Sequence, residues 1–173
     1  MAEAGSSNPP SHHHAVSDAS LQWRLKAFDE LSRRELYALL AARVAVFVVE
    51  QDCPYQEIDG SDGDALHLAA WTPDDVLAAY ARILPPGTRF EQPSIGRVLT
   101  AAGHRRTGLG QALMRRAIAE TRSRFPGDDI RISAQCYLQR FYTGLGFRID
   151  SDPYDEDGIP HVDMRFSPER RGD

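Results

Sequence analysis

The run Arg105-Arg106-Thr107-Gly108-Leu109-Gly110 carries the clearest chemical content of the sequence. It follows the strand-like Ile95-Gly96-Arg97-Val98-Leu99-Thr100 and opens the helix-patterned run from Gln111 to Arg124. A strand, a short basic turn and a helix start make an anion cradle. The first helical N–H groups have no intrahelical acceptor, and the helix dipole places partial positive charge there. Gly108 and Gly110 let the backbone approach a bulky phosphate, and Arg105 and Arg106 add charge-assisted donors. A Walker loop needs Lys-Ser/Thr after its second glycine, where this chain has Gln111-Ala112. A dinucleotide fingerprint needs a small residue where this chain has Leu113. What remains is Arg-x-x-Gly-x-Gly, which on local turn chemistry reads equally well as a glycine-rich cap on a surface helix.

A second motif lies downstream. Ile130 to Gln135 alternates like a strand, and Cys136 to Phe147 reads as a short helix ending at glycine. Within it, Tyr142 to Phe147 has the form Tyr-x-x-x-Gly-Phe. With both motifs in this order, the chain resembles the GNAT superfamily of acetyl-CoA-dependent N-acyltransferases. Phe47 to Tyr55 and Asp157-Gly158-Ile159-Pro160-His161 are similar to its ElaA branch, and the matching segments cover about Leu21 to Phe166. Many members carry Asn and Ala where this chain has Gln135 and Leu138.

The resemblance implies a fold and a set of roles. The fold is an α/β (α+β) domain with a central, mixed, mostly antiparallel sheet of six to seven strands. That sheet is splayed beside strands four and five and flanked by about four helices. Acetyl-CoA, as co-substrate, enters the split. Arg105, Arg106, Thr107, Gly108, Leu109, Gly110 and Gln111 grip its diphosphate. Backbone N–H groups of Val98, Leu99 and Thr100 face the thioester, and the Gln135 amide meets the pantetheine arm. Tyr142 faces the sulfur.

Acyl transfer to an amine needs a held donor, a neutral amine, a hydrogen-bond donor for the developing oxyanion and a proton for the departing thiolate. A phenol is a suitable proton source for a thiolate, which makes Tyr142 the candidate general acid; the bland alternative is a core tyrosine. Candidate bases are Glu57 and Asp59 in one acidic loop, and Asp155, Glu156, Asp157 and His161 in another. Glu57 is the choice among them, against the alternative of a solvated loop carboxylate. His161 and Asp163 share a strand face but lack a third partner, so no metal is expected. An acidic rim favours a cationic acceptor, a small molecule or peptide bearing a primary amine. The competing readings are a non-catalytic coenzyme A or acyl-CoA binding module and a nucleotide-phosphate enzyme.

The composition bounds the rest. With 173 residues and a net charge of −5, the chain fits one ordinary domain and no nucleic-acid surface. No apolar run approaches a membrane span, and no leader-like apolar core is expected at the N-terminus. Cys53 and Cys136 are too few for a disulfide framework, which points to a cytoplasmic setting. Residues 1–20 read as a disordered tail, with His12-His13-His14 incidental, 21–166 as a single domain, and 167–173 as a loose end. An exposed strand edge is compatible with a homodimer.

The positioning elements are read from pattern. Strands are expected at Gln22–Phe28, Leu66–Trp71, Val76–Leu84, Ser94–Thr100, Ile130–Gln135, Phe147–Asp150 and His161–Phe166. Ser32-Arg33-Arg34-Glu35 is a capping box. It should open a helix running to about Val48, with Leu36, Leu39, Leu40, Val44 and Phe47 on one face. His67 reads as a strand histidine with a satisfied partner.

Overall fold

The computed structural model describes residues 20–168. The two expected tails, with His12-His13-His14, lie outside the described residues except for Ser20, Ser167 and Pro168.

The first helix starts where its capping box predicts. α1 spans Arg33–Arg43, Glu35 N donates to Ser32 Oγ at 3.2 Å, and Ser32 N donates back to Glu35 Oε2 at 2.8 Å. Burial alone would raise the Glu35 carboxyl, but Lys26 and Ser32 outweigh it and hold it at about 2. The helix does not continue in α geometry to Val48. From Val44 to Glu50 the chain widens into a π-helical turn. Such turns are uncommon and recur at functional sites; here it delivers Val46, Phe47 and Glu50 to the cavity described below.

The strands are β1 (Gln22–Ala27), β2 (Leu66–Trp71), β3 (Leu77–Leu84), β4 (Ser94–Thr100), β5 (Ile130–Gln135), β6 (Arg148–Ile149), β7 (Tyr154–Glu156) and β8 (Ile159–Phe166). They form one eight-stranded sheet in the order β1-β2-β3-β4-β5-β8-β6, with β7 also paired to β8. Every pairing is antiparallel except β4 with β5. The expectation of six to seven strands omitted the three-residue β7. Two further α-helices are present, α2 (Leu109–Arg124) and the short α3 (Gln139–Thr143), so the described residues hold three α-helices where about four were expected.

Helices cover both faces. α2 presents Leu109, Leu113, Met114, Ala117 and Ile118 to one face, while its arginines 115, 116, 122 and 124 remain exposed. α1 sets Leu39 against Ala69, Trp71, Tyr80 and Leu99 on the other. β3, between them, is buried along its whole length. Each fully buried leucine of this kind contributes about 2 kcal/mol of hydrophobic stabilisation, so α2 fixes its own N-terminus firmly against the sheet. Among the described residues no helix is long and apolar enough to cross a membrane.

The sheet parts in its middle. β4 and β5 are joined in register only at Ser94 and Arg131, next to a bond from Arg131 N to Pro93 O at 2.9 Å. Beyond this rung, the β5-facing edge of Gly96–Thr100 has no strand to pair with. On the β3 side, Tyr80 opposes Leu99 and Arg82 opposes Gly96, so Arg97 and Val98 both stand opposite Ala81. This is a β-bulge, and Arg97 takes a left-handed φ of 52° within it.

Candidate active site

A cavity of about 450 Å³ occupies the gap between β4 and β5. One wall is β4, carrying Val98, Leu99 and Thr100, with Arg105 just beyond. The opposing wall is Gln135 of β5 and Tyr142 of α3, and the β7–β8 hairpin adds Glu156 and His161. The structure therefore brings Val98, Leu99, Thr100, Arg105, Gln135 and Tyr142 to one place. Arg106, Thr107, Gly108, Leu109, Gly110 and Gln111 follow directly after Arg105 but do not line its enclosed part.

The loop before α2 has the features of an anion site. Gly108 sits at φ 86°, a left-handed conformation that favours glycine. Gln111 N and Ala112 N both bond to Gly108 O, at 3.0 and 3.1 Å. Within the described residues no acceptor takes the N–H groups of Arg106, Thr107, Gly108, Leu109 or Gly110. Gly110 lies close to the wall, since a methyl group built there would stand 3.6 Å from Thr100 Oγ1 and 3.8 Å from the Phe141 ring. These orphan amides at the start of a sixteen-residue helix fit a diphosphate. The two arginines differ. Arg106, at φ 62°, has no carboxylate partner among the described residues. Arg105 holds Glu50 through both terminal nitrogens at 2.7 and 2.8 Å, and its Nε donates to Thr100 O at 3.1 Å. The guanidinium expected to grip an anion is thus already held by a carboxylate.

Tyr142 is 7% exposed, and its ring meets Phe141 and Phe147 edge-on at 5.0 and 6.0 Å. Burial pushes its phenol up to about 12, with Tyr137 adding to the effect. No donor or acceptor among the described residues takes its hydroxyl, and it faces the cavity. A buried phenol kept protonated and without a partner among the described residues is chemically able to donate a hydrogen bond or a proton into the cavity. Gln135 is committed, since its Nε2 donates to Gln51 Oε1 at 3.0 Å, bridging β5 to the turn after α1.

Glu57, expected to act as base, is placed elsewhere. It is 3% exposed and does not line the cavity. Its Oε1 accepts from Arg43 Nε at 2.8 Å and from Arg97 Nε at 2.7 Å. Asp62 accepts from Arg43 and Arg82, and Asp59 from Arg82 and Arg97. Three arginines and three carboxylates thus knit the Gln51–Asp64 loop to α1, β3 and β4. Asp59 and Asp62 lie well below the usual carboxylate range; burial opposes this, and the arginines override it. His67 completes the group, bonded to the Tyr80 hydroxyl at 2.8 Å and to Asp62 O at 3.0 Å, as its sequence position suggested.

Several lining residues had no visible signal. Arg97 matters through its bulge, which is a property of strand pairing and not of local sequence. Glu50 meets a partner fifty-five positions away. The β7–β8 hairpin did carry a signal. Asp157-Gly158 has positive φ at both residues, 53° and 80°, and Asp-Gly is a strong marker of a two-residue hairpin turn.

Comparison with known proteins agrees with this geometry. Residues 29–168 match the family model described as an acetyltransferase (GNAT) domain. An acyl-CoA N-acyltransferase from Pseudomonas aeruginosa superposes with a TM-score of 0.80 at 45% identity, covering 86% of this chain and all of that one. Escherichia coli ElaA is 44% identical over 83% of this chain and 95% of its own, and its crystal structure gives a TM-score of 0.79. An aminoglycoside 6'-N-acetyltransferase in complex with coenzyme A shares the fold alone, with a TM-score of 0.65 at 14% identity over 87% of this chain and 99% of that one. The split sheet, the amide-rich loop before α2 and these relatives together place the chain in the GNAT acetyltransferase family, beside ElaA.

Proposed function

We propose that this acyltransferase moves an acetyl group from acetyl-CoA to a primary amine by direct attack, with both substrates bound in the β4–β5 cavity. Bound acetyl-CoA supplies an activated thioester. The observation that carries the reading is the gap itself: a strand edge without a ladder partner, Gly96–Thr100, faces the unpartnered hydroxyl of Tyr142 across it. The orphan N–H groups from Arg106 to Gly110, with Arg106 beside them, hold the diphosphate. Arg105 joins them when it exchanges Glu50 for phosphate, a substitution between charge-assisted partners of similar kind. Backbone N–H groups in the bulged segment Val98–Thr100 donate to the thioester oxygen as negative charge grows there. Tyr142 gives its proton to the departing sulfur.

In this reading the Arg43–Glu57–Arg97 bonds set the bulge and hold the acidic loop in place, and Glu57 serves as an anchor. The acceptor is cationic in solution, since Glu156 and Asp157 border the cavity and raise the local concentration of ammonium groups.

A second reading, a coenzyme A binding module without turnover, is favoured by one observation: the carboxylate chosen from sequence as the base is locked by two guanidiniums. Release of free thiol from acetyl-CoA across a panel of primary amines separates the two. Thiol release with at least one amine supports the transferase. Binding heat with coenzyme A and no thiol release with any amine supports the module. An absence of binding heat with either acetyl-CoA or coenzyme A overturns both.

A further inference from the structure

With Glu57 sequestered, the cavity must contain another group able to accept the acceptor's proton. The β7–β8 hairpin supplies a candidate. Its tight turn at Asp157-Gly158 pairs Tyr154 with His161, and β8 in turn pairs His161 with Gln135. His161 therefore lies on the face of the sheet that carries Gln135, and its ring lines the cavity together with Glu156.

The hydrogen bonds fix the tautomer. His161 Nδ1 lies 2.8 Å from the carbonyl oxygen of Ile159. A carbonyl oxygen only accepts, so this bond requires the proton on Nδ1. In the neutral ring the lone pair is then on Nε2. Nε2 has no hydrogen-bond partner among the described residues and stands 3.9 Å from Glu156 Oε2. That separation is too long for a hydrogen bond but short enough for a carboxylate to stabilise an imidazolium. Glu156 is itself held: Arg89 donates to Oε1 at 2.7 Å and the Ser133 hydroxyl donates to Oε2 at 2.9 Å. Burial alone would raise its carboxyl, but Arg89, Ser133 and His161 bring it below the usual range, so it stays ionised. Behind it, the Tyr154 hydroxyl meets Ser133 Oγ at 2.5 Å and donates to Asp163 Oδ1 at 2.8 Å, and the Tyr154 ring stacks on the imidazole at 6.2 Å.

We propose that His161 is the catalytic base of the transfer, taking the acceptor's proton on Nε2, and that Glu156 is a positioning residue that stabilises the imidazolium so formed. The inference rests on the acyltransferase reading above. The ammonium first gives one proton to solvent, and the amine lone pair so exposed forms the N–C bond as the C–S bond breaks. The amine proton passes to Nε2, Tyr142 protonates the departing sulfur, and exchange with solvent returns a proton to Tyr142 and removes one from His161. No metal or redox partner enters the balance. Charged or titratable groups around the imidazole include Tyr154 stacked on the ring, Asp157 on the hairpin turn, Tyr55 and Arg97 in the cavity lining, Asp163 two residues along β8, and Arg89 through Glu156. Of these, Arg97 is neutralised by Glu57 and Asp59, and Asp163 is engaged by Tyr154 and Arg131.

Two measurements on the full-length protein test this. The first is nitrogen NMR of histidine-labelled protein, with the His161 signals assigned by their loss in His161→Gln. A neutral His161 protonated on Nδ1, whose ring nitrogen signals change in Glu156→Gln, supports the proposal. A ring protonated on Nε2, or one whose signals ignore Glu156, overturns it. The second is thiol release from acetyl-CoA with the best amine of the panel. His161→Gln should reduce turnover by about a hundred-fold or more, with the acetyl-CoA binding heat unchanged, and should abolish the acidic limb of the pH–rate profile. Turnover within threefold of the parent protein overturns the assignment of His161 while leaving the transferase reading intact. An absence of turnover in the parent protein overturns both.

Discussion

Two polar clusters flank β4, and they are built for opposite ends. Beneath the acidic loop, Arg43, Arg82 and Arg97 are interlocked with Glu57, Asp59 and Asp62, each side chain paired with two of opposite charge, while Glu57 Oε2, Asp62 Oδ2 and Arg82 Nε are buried without a hydrogen-bond partner among the described residues. Around the cavity, Tyr142 and His161 each keep one polar atom free of any partner among the described residues. Both clusters are rich in titratable groups, and both read in the sequence as loop carboxylates near a pocket. The difference lies in the partners. A carboxylate gripped by two guanidiniums away from the cavity ties the loop to the sheet, whereas a phenol or imidazole with a free atom beside the cavity can meet a bound molecule.

The contrast can be broken from either side. The largest effect is expected from Arg43→Ala, which takes from Glu57 and Asp62 one of the two guanidiniums each holds in the interior, leaving only Arg97 and Arg82. Losing one member of a buried ion pair costs about 3–5 kcal/mol, so urea unfolding should move to much lower denaturant; Arg43→Met tests whether packing or charge is responsible. A change under 1 kcal/mol would mean that the cluster is not structural. Next is Tyr142→Phe, which removes a hydroxyl that has no partner among the described residues. Turnover should fall by about a hundred-fold, while unfolding and coenzyme A binding stay nearly unchanged. Equal turnover would remove Tyr142 from the chemistry.

A subtler effect concerns acid. Asp59 has a folded pKa below its ordinary 3.8. Its ionisation therefore adds stability that is fully present above that ordinary value and is lost as pH falls through the lower, folded one. Asp59→Asn should be less stable at neutral pH and should show a flatter decline of stability with acid below pH about 3.8, read from unfolding curves at several pH values. An unchanged slope would show that the arginines do not act on Asp59. The smallest effect belongs to Glu50→Gln. Its bond to Arg105 is exposed, and such pairs contribute little. Freeing Arg105 should tighten coenzyme A binding by roughly threefold at low salt, an advantage that fades as salt screens the phosphate. Weaker binding would mean that Glu50 positions the loop instead of competing for it.

The sequence disclosed the parts whose logic is local. A strand, a glycine turn and a helix start sit within twenty residues, and their chemistry is a property of that segment alone, so the loop before α2 was legible. The capping box at Ser32 and the alternation of β5 were legible for the same reason. Arg43 was not: it lies on the helix face read as apolar, and only the folded chain brings Glu57 and Asp62 to it. The bulge at Arg97 depends on how β3 and β4 pair, and the Glu50–Arg105 contact on two elements far apart in sequence. That Glu57 would lie buried between Arg43 and Arg97, away from the cavity, was not legible from a loop of acids, because burial and partners are set by the fold and not by residue type. The hairpin at Asp157-Gly158 was readable from its turn chemistry, yet the strand before it is only three residues long and went unrecognised.

The single rung between Ser94 and Arg131 has a mechanical consequence. β1–β4 and β5–β8 are two slabs meeting along a seam, and one hydrophobic cluster, with α2 at its centre, contains residues of both. Local opening starts where rungs are fewest, so amides on both banks of the seam should exchange with solvent ahead of those in β2 and β3. Any molecule that bridges the banks acts as mortar. At a hundredfold excess over its dissociation constant such an occupant adds about 2.7 kcal/mol of resistance to unfolding, which makes the melting temperature a direct gauge of whether the seam is filled.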